Sequence, residues 1–218
     1  RIDCYDGLVS QVNSPRAGII PKAADAFYQL VYYPVKGAAL MNKKFLYRDK
    51  AYLYGKQNRA SAHDYAALSK QAYDEIARET EFYNNNLAGG KWKHMMSMEP
   101  RNLPVYKEPV LPEITIDKSA VWSIAPEGYV NKDSSLTGKG NAIFSLPAFN
   151  RHSDKRYFID IFLSDDKELK WTAKGDSWIQ LSQSSGSLSP EQGKREDRIW
   201  VSIDWNKIQR SGRQNGKI

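Results

Sequence analysis

Apolar positions recur every three or four residues up to about residue 86, and every second residue beyond about residue 112. The first period belongs to helices and the second to strands, so the chain predicts an α part followed by a β part. Phe27, Val31, Val35, Ala38, Asn42, Phe45, Asp49 and Tyr52 form one helical stripe with two polar breaks. Pro34 falls inside it and lacks the N–H a helix interior needs, so the helix is expected to kink or split near Tyr33-Pro34. Pro21 suits the first turn of a preceding helix, and a weaker pattern suggests a short helix over residues 6–12. Ser61 opens S-A-H-D, a start resembling a capping box with Asp64 as its acid. Tyr65, Leu68, Ala72, Ile76, Thr80 and Tyr83 then mark one helix face, and Asn84-Asn85-Asn86 ends it. Stripes this narrow bury only one side of each helix, which predicts side-by-side packing in a bundle.

Four of the ten prolines, Pro100, Pro104, Pro109 and Pro112, crowd the next stretch and favour extended backbone. The expected organisation is therefore a helical bundle domain at residues 1–99, a proline-rich linker at 100–112 and a β-sandwich domain at 113–218. Strands are expected at 113–116, 120–124, 157–163, 169–173, 178–181 and 199–203. Turns are expected at Asp165-Asp166, Lys174-Gly175-Asp176 and Ser184-Ser185-Gly186. Short strands, frequent turns and no intervening helices make an antiparallel β-sandwich the expected fold. Asn215-Gly216 followed by Lys217-Ile218 reads as a turn opening a further strand, so the sandwich is expected to be truncated, with an edge left to pair.

Charge and composition narrow the function classes. The formal net charge is +7, but it spreads as +5 over residues 1–110 and +2 over 111–218. Lys43, Lys44, Arg48, Lys50, Lys56 and Arg59 are the closest approach to a basic stripe, and a solvated helix face accounts for it better than a phosphate track does. Nucleic acid is therefore not an expected partner. No apolar run is long enough to span a membrane. The lone Cys4 excludes an internal disulfide and reads as an incidental thiol. His63, His94 and His152 lie too far apart for a metal motif, so no metal and no cofactor are expected. No G-x-S-x-G elbow is present. Gly89-Gly90-Lys91 lacks the rest of a phosphate loop and reads as a helix end. Asp74, Glu75, Glu79 and Glu81 invite comparison with a glycosidase acid–base pair, but they sit on the polar side of their helix and read as solvated charge. No catalytic residue is assigned.

Six tryptophans and thirteen tyrosines are many for 218 residues. Aromatic rings cover sugar C–H faces well, yet Trp122, Trp171, Trp178 and Trp200 all fall in expected strands, where core packing is the default. Trp92, His94, Met95 and Met96 follow a glycine pair and read as a plug between bundle and linker, with a subsite wall as the functional alternative. Trp92, His94 and Trp205 are the candidate ligand or interface contacts.

Three segments carry more than composition. They are Ala26-Phe27-Tyr28-Gln29-Leu30-Val31-Tyr32-Tyr33-Pro34-Val35-Lys36, Tyr52-Leu53-Tyr54-Gly55-Lys56-Gln57-Asn58-Arg59-Ala60-Ser61-Ala62, and Leu87-Ala88-Gly89-Gly90-Lys91-Trp92-Lys93-His94-Met95-Met96. In this order they resemble the C-terminal part of glycoside hydrolase family 115, with Lys93 standing where the family usually has Asn. Trp171-Thr172-Ala173, Trp178-Ile179 and Trp200 to Trp205 resemble the family's final β-sandwich. The resemblance implies a parent α-glucuronidase that removes (4-O-methyl)glucuronic acid side chains from glucuronoxylan. It implies an extracytoplasmic location and catalysis in a (β/α)₈ barrel that this chain lacks. The chain would then be the non-catalytic part, inactive alone, with a role in structure, homodimerisation or substrate binding. The alternative is a stand-alone module for acidic glycans; the lesser alternative is a nucleic-acid-binding protein.

Overall fold

The computed structural model describes residues 1–16, 18–130, 144–208 and 212–218. They form two compact units: Arg1–Tyr52 with His63–Pro112, and Leu53–Ala62 with Glu113–Ile218. The order is helices first and antiparallel sheets second, as the change of period predicts.

The helical unit is built on α1 (Ile2–Arg16), α2 (Pro21–Phe27), α3 (Tyr33–Lys56) and α4 (Ala62–Asn85). α2 starts on Pro21, and α1 is far longer than the expected 6–12 segment. The Pro34 problem is solved by a π-helical turn, Tyr28–Tyr32, in which the Tyr33 N–H donates to the Tyr28 carbonyl. α2, the π turn and α3 run on with helical backbone, and the wide turn lies just before Pro34, where the hydrogen-bond ladder must accommodate a residue with no N–H. The buried face differs from the expected stripe. Tyr28, Tyr32, Ala39, Leu40, Lys44 and Ala51 are buried, whereas Val31, Ala38, Asp49 and Tyr52 are exposed. The reason is that phenols and a lysine stem occupy inward positions that an apolar count passes over. On α4, Ala72, Thr80 and Tyr83 point inward as expected, joined by the fully buried Ser69 in place of Leu68.

Tyr28, Tyr32, Tyr83 and Leu87 form the core of this unit, with Val12, Phe27, Tyr33, Trp92 and Met96 packed around it. Of the expected plug, only Trp92 and Met96 pack inward; His94 and Met95 are exposed. Asn84 fixes Met96 by a two-way pairing, its amide donating to the Met96 carbonyl (2.8 Å) and its oxygen accepting from the Met96 N–H (2.9 Å). Between them Leu87–Gly90 makes a 3₁₀ turn. Gly90 takes φ +83°, a conformation that side-chain-bearing residues rarely adopt, and a Cβ there would crowd the Asn85 carbonyl oxygen at 3.1 Å. Downstream, the 100–112 segment is tied to α3, because the buried Lys44 Nζ donates to the carbonyls of Val105 (2.7 Å) and Lys107 (3.0 Å).

The β unit has two antiparallel sheets. One has the order β1-β2-β6-β4, from β1 (Trp122–Pro126), β2 (Tyr157–Leu163), β6 (Glu196–Ile203) and β4 (Ile179–Leu181). The other pairs β3 (Leu169–Thr172) with β5 (Ser185–Leu188). Ile161, Leu163 and Ile199 of the first sheet share a core with Trp171 and Leu188 of the second. β5 occupies a stretch where a turn is expected at Ser184-Ser185-Gly186. Its pairing depends on Gly186, because a Cβ there would lie 2.7 Å from the Trp171 ring. The expected 113–116 strand joins no ladder; Ile114 packs instead beside Gly55. Nor do residues 212–218 form a strand. Lys217 is tied to Asp176, its carbonyl accepting from the Asp176 N–H (3.1 Å) and its N–H donating to the Asp176 carboxylate (2.9 Å).

Candidate functional site

Two constellations gather chemistry-bearing side chains, one in each unit. In the helical unit an open cleft is lined by Tyr28, Glu75, Arg78, Glu79 and Phe82. The π turn points two phenols at α4: Tyr28 Oη donates to Glu79 Oε2 (2.6 Å) and Tyr32 Oη to Glu79 Oε1 (3.3 Å). Burial, and then the hydrogen bond to Glu79, push the Tyr28 phenol well above its ordinary range, so it remains a donor at any physiological pH. Lys36 pairs with Glu75 at 2.5 Å. The expectation that Glu75 and Glu79 are solvated is thus corrected: one carboxylate holds an ammonium and the other accepts two phenols. Their spacing on α4 puts both on one face with Phe82, but nothing in that spacing announces tyrosines arriving from another helix.

In the β unit the constellation is charged and buried. The loop after α3 carries Gln57, Asn58 and Arg59, each at most 5% exposed. Asn58, at φ +61°, pairs in both directions with the Asp117 backbone at 2.7 Å. Gln57 donates to the Tyr129 carbonyl (2.5 Å) and accepts from Arg59 Nε (2.6 Å). Arg59 then reaches Asp160 (3.0 Å) and Glu196 (3.1 Å), its guanidinium held between the Tyr54 and Phe162 rings, 4.0 and 4.4 Å from their centres. Arg198 grips Asp160 from the other side at 2.8 and 3.0 Å. The basic stripe is corrected accordingly. Lys44 and Arg59 are buried, Lys43 pairs with Asp6 and Arg48 with Asp49, so the six do not share one solvated face.

Alternation along β2 and β6 places Phe158, Asp160 and Phe162 on one face with Glu196, Arg198 and Trp200. The Arg59 segment covers the half around Asp160 and Phe162. The other half is open. There Phe158 and Trp200, directly opposite in register, meet edge to face at 5.7 Å. Arg198 lies 3.6 Å above the Phe158 ring, and Arg156 lies 5.5 Å from the Trp200 ring centre.

The sequence-derived candidates fall in both units. Trp92 is half-buried against the tyrosine core and His94 is exposed at φ +67°, while Trp205 belongs to the β unit. Trp205 is half-buried in a short turn, its carbonyl 3.4 Å from Arg151 Nη2. Among the expected strand tryptophans only Trp171 is core; Trp122 and Trp200 are exposed, and Trp178 is half-buried. The described residues contain no cluster of three or more metal-ligating side chains and no helix long and apolar enough to cross a membrane.

An α-then-β chain with two such centres defines a fold class rather than an activity. No family model matches the chain, and no curated protein matches it. Among solved structures it is similar to a family GH115 4-O-methyl-α-glucuronidase described as specific for decorated arabinogalactans, at 21% identity and a TM-score of 0.43. The match covers 94% of this chain and 31% of that one, so the chain spans less than a third of that enzyme's length.

Proposed function

We propose that the chain is the non-catalytic C-terminal region of a glycosidase resembling family 115 α-glucuronidases, whose parent acts outside the cytoplasm on the glucuronic acid side chains of glucuronoxylan. One observation carries this reading: the residues that make the resemblance are the ones that build the two units. Tyr28 and Tyr32 of the first motif clasp Glu79. Gln57, Asn58 and Arg59 of the second lock into the β unit. Trp92 and Met96 of the third close the tyrosine core. A motif spent on internal hydrogen bonds and packing is a framework motif, and the role it supports is to shape a larger enzyme or its dimer. Glu75 and Glu79 are engaged as acceptors, which leaves the helical cleft without a disposable acid–base pair.

The reading is tested at two levels. The coding frame upstream of Arg1 is expected to encode a (β/α)₈ barrel; a frame that opens immediately before Arg1 would overturn the proposal. The purified chain is expected to release no glucuronic acid from glucuronoxylan, and release above a no-protein control would equally overturn it.

A further inference from the structure

We propose that the open half of the β2–β6–β4 face, at Phe158, Trp200, Arg156 and the neighbouring Gln180, is a binding site for a carboxylated polysaccharide. Trp200 lies on the face opposite the shared core and is 37% exposed, an arrangement that packing of this unit does not require. Its ring stands edge-on to Phe158 and offers a broad apolar surface to the C–H face of a pyranose. Arg156, flanking the same ring, has no carboxylate partner among the described residues. A guanidinium beside an aromatic ring supplies the two-pronged donor that a uronic acid carboxylate accepts. Across β4 and β6 the Ser202 hydroxyl donates to Gln180 Oε1 (3.4 Å), and the Ser182 hydroxyl accepts from the Trp200 backbone N–H (3.0 Å), so the Gln180 amide NH₂ and the Ser182 hydroxyl proton border the ring for sugar hydroxyls.

The occupant follows from the charge count. Arg198 is already neutralised by Asp160, and Asp160 is shared with Arg59. Among the described residues of this face that leaves one unspent guanidinium against one stacking platform, which suits one carboxylate on one sugar. A nucleic-acid strand demands a row of unpaired cations following its phosphates, and the described residues of this face form no such row. The site is independent of whether a catalytic barrel precedes the chain, so it stands or falls separately from the proposed parent.

The test is affinity electrophoresis and calorimetry of the chain against polygalacturonate, glucuronoxylan, carboxyl-reduced polygalacturonate and oligo-dT. Retention is expected on the first two and on neither of the others. Arg156→Gln is expected to weaken binding about tenfold, the scale of one lost charge-assisted hydrogen bond. Trp200→Ala is expected to abolish binding, with Trp200→Phe retaining part of it. Trp122→Ala, at a more exposed tryptophan on the opposite face, is expected to change nothing. Equal retention on the carboxyl-reduced polymer, loss of binding in Trp122→Ala, or binding of oligo-dT that vanishes with Arg156→Gln would each overturn the proposal. Absence of binding to both acidic polymers, with thermal unfolding unchanged across the variants, would do the same.

Discussion

Among the described residues each unit buries one long cation, and the two solve the problem differently. Lys44 in the helical unit is 1% exposed and donates to two backbone carbonyls, with no carboxylate paired to it among the described residues. Arg59 in the β unit is 2% exposed and faces two carboxylates, one of them shared with a second arginine. The Lys44 arrangement carries a net charge, and burial, aided by the nearby Arg48 charge, holds its ammonium below the usual lysine range. The Arg59 arrangement balances its charges internally. A cation held by neutral carbonyls is replaceable, whereas one held by carboxylates leaves buried anions behind when it goes.

Arg59→Met is therefore expected to produce the largest loss, about 3–5 kcal/mol by urea denaturation, because Asp160 and Glu196 lose their shared counter-ion. A loss below about 1 kcal/mol would show that Arg198 alone satisfies the cluster. Gly186→Ala, which drives a methyl into the Trp171 ring, is expected to cost about 1–3 kcal/mol, and an unchanged unfolding midpoint would mean that β5 can shift at no expense. Tyr28→Phe removes the short donor to Glu79 without changing shape and is expected to cost about 1–2 kcal/mol. Lys44→Met should fall within about 1 kcal/mol of wild type, since the abandoned carbonyls belong to exposed residues and water can reach them. Parity between Lys44→Met and Arg59→Met would dissolve the comparison.

Alkali sharpens it further, because the signs oppose. Lys44 titrates lower in the fold than its ordinary 10.5, so between those two values the unfolded chain binds more protons and stability rises with pH. Burial raises the phenols of Tyr28 and Tyr33 in the helical unit and of Tyr54 in the β unit above their ordinary 10.0. Their contribution is complete below 10.0 and declines above it, as the unfolded chain ionises while the fold does not. Unfolding free energy followed across this range should therefore climb slightly and then fall. Lys44→Met should lose the climb, and Tyr54→Phe should soften the fall. A monotonic curve in the wild-type chain would contradict the Lys44 assignment.

How much of this could be read from the chain depended on whether a residue's role is local. Strand β2 and the paired turn at Asp165-Asp166 follow from alternation and turn chemistry, which need only neighbours in sequence. Strand β5 escaped because its serines and glycine look like a loop; only the Trp171 ring lying across Gly186 explains them. Glu79 read as solvent-facing because its partners arrive from a different helix, and Arg59 because Asp160 stands 101 residues away. The Phe158–Trp200 face was invisible for the same reason: the two rings are 42 positions apart and become a surface only through the β2–β6 register.

The π turn carries a consequence for chain length. A turn of this kind holds one residue more than an α-helix needs to travel the same distance, so it behaves as an inserted residue absorbed without a loop. Tyr28 and Tyr33, five positions apart, would diverge around a regular helix; here both reach α4, Tyr28 at Glu79 and Tyr33 at Thr80. Deleting one exposed residue from the turn, Leu30 at 73% exposure, would restore ordinary helical phase and rotate everything upstream by about 100° relative to α3. The tyrosine clasp on Glu79 thus depends on a count of residues as much as on their identity, and a deletion at a solvent-facing position would undo it where a substitution would pass unnoticed.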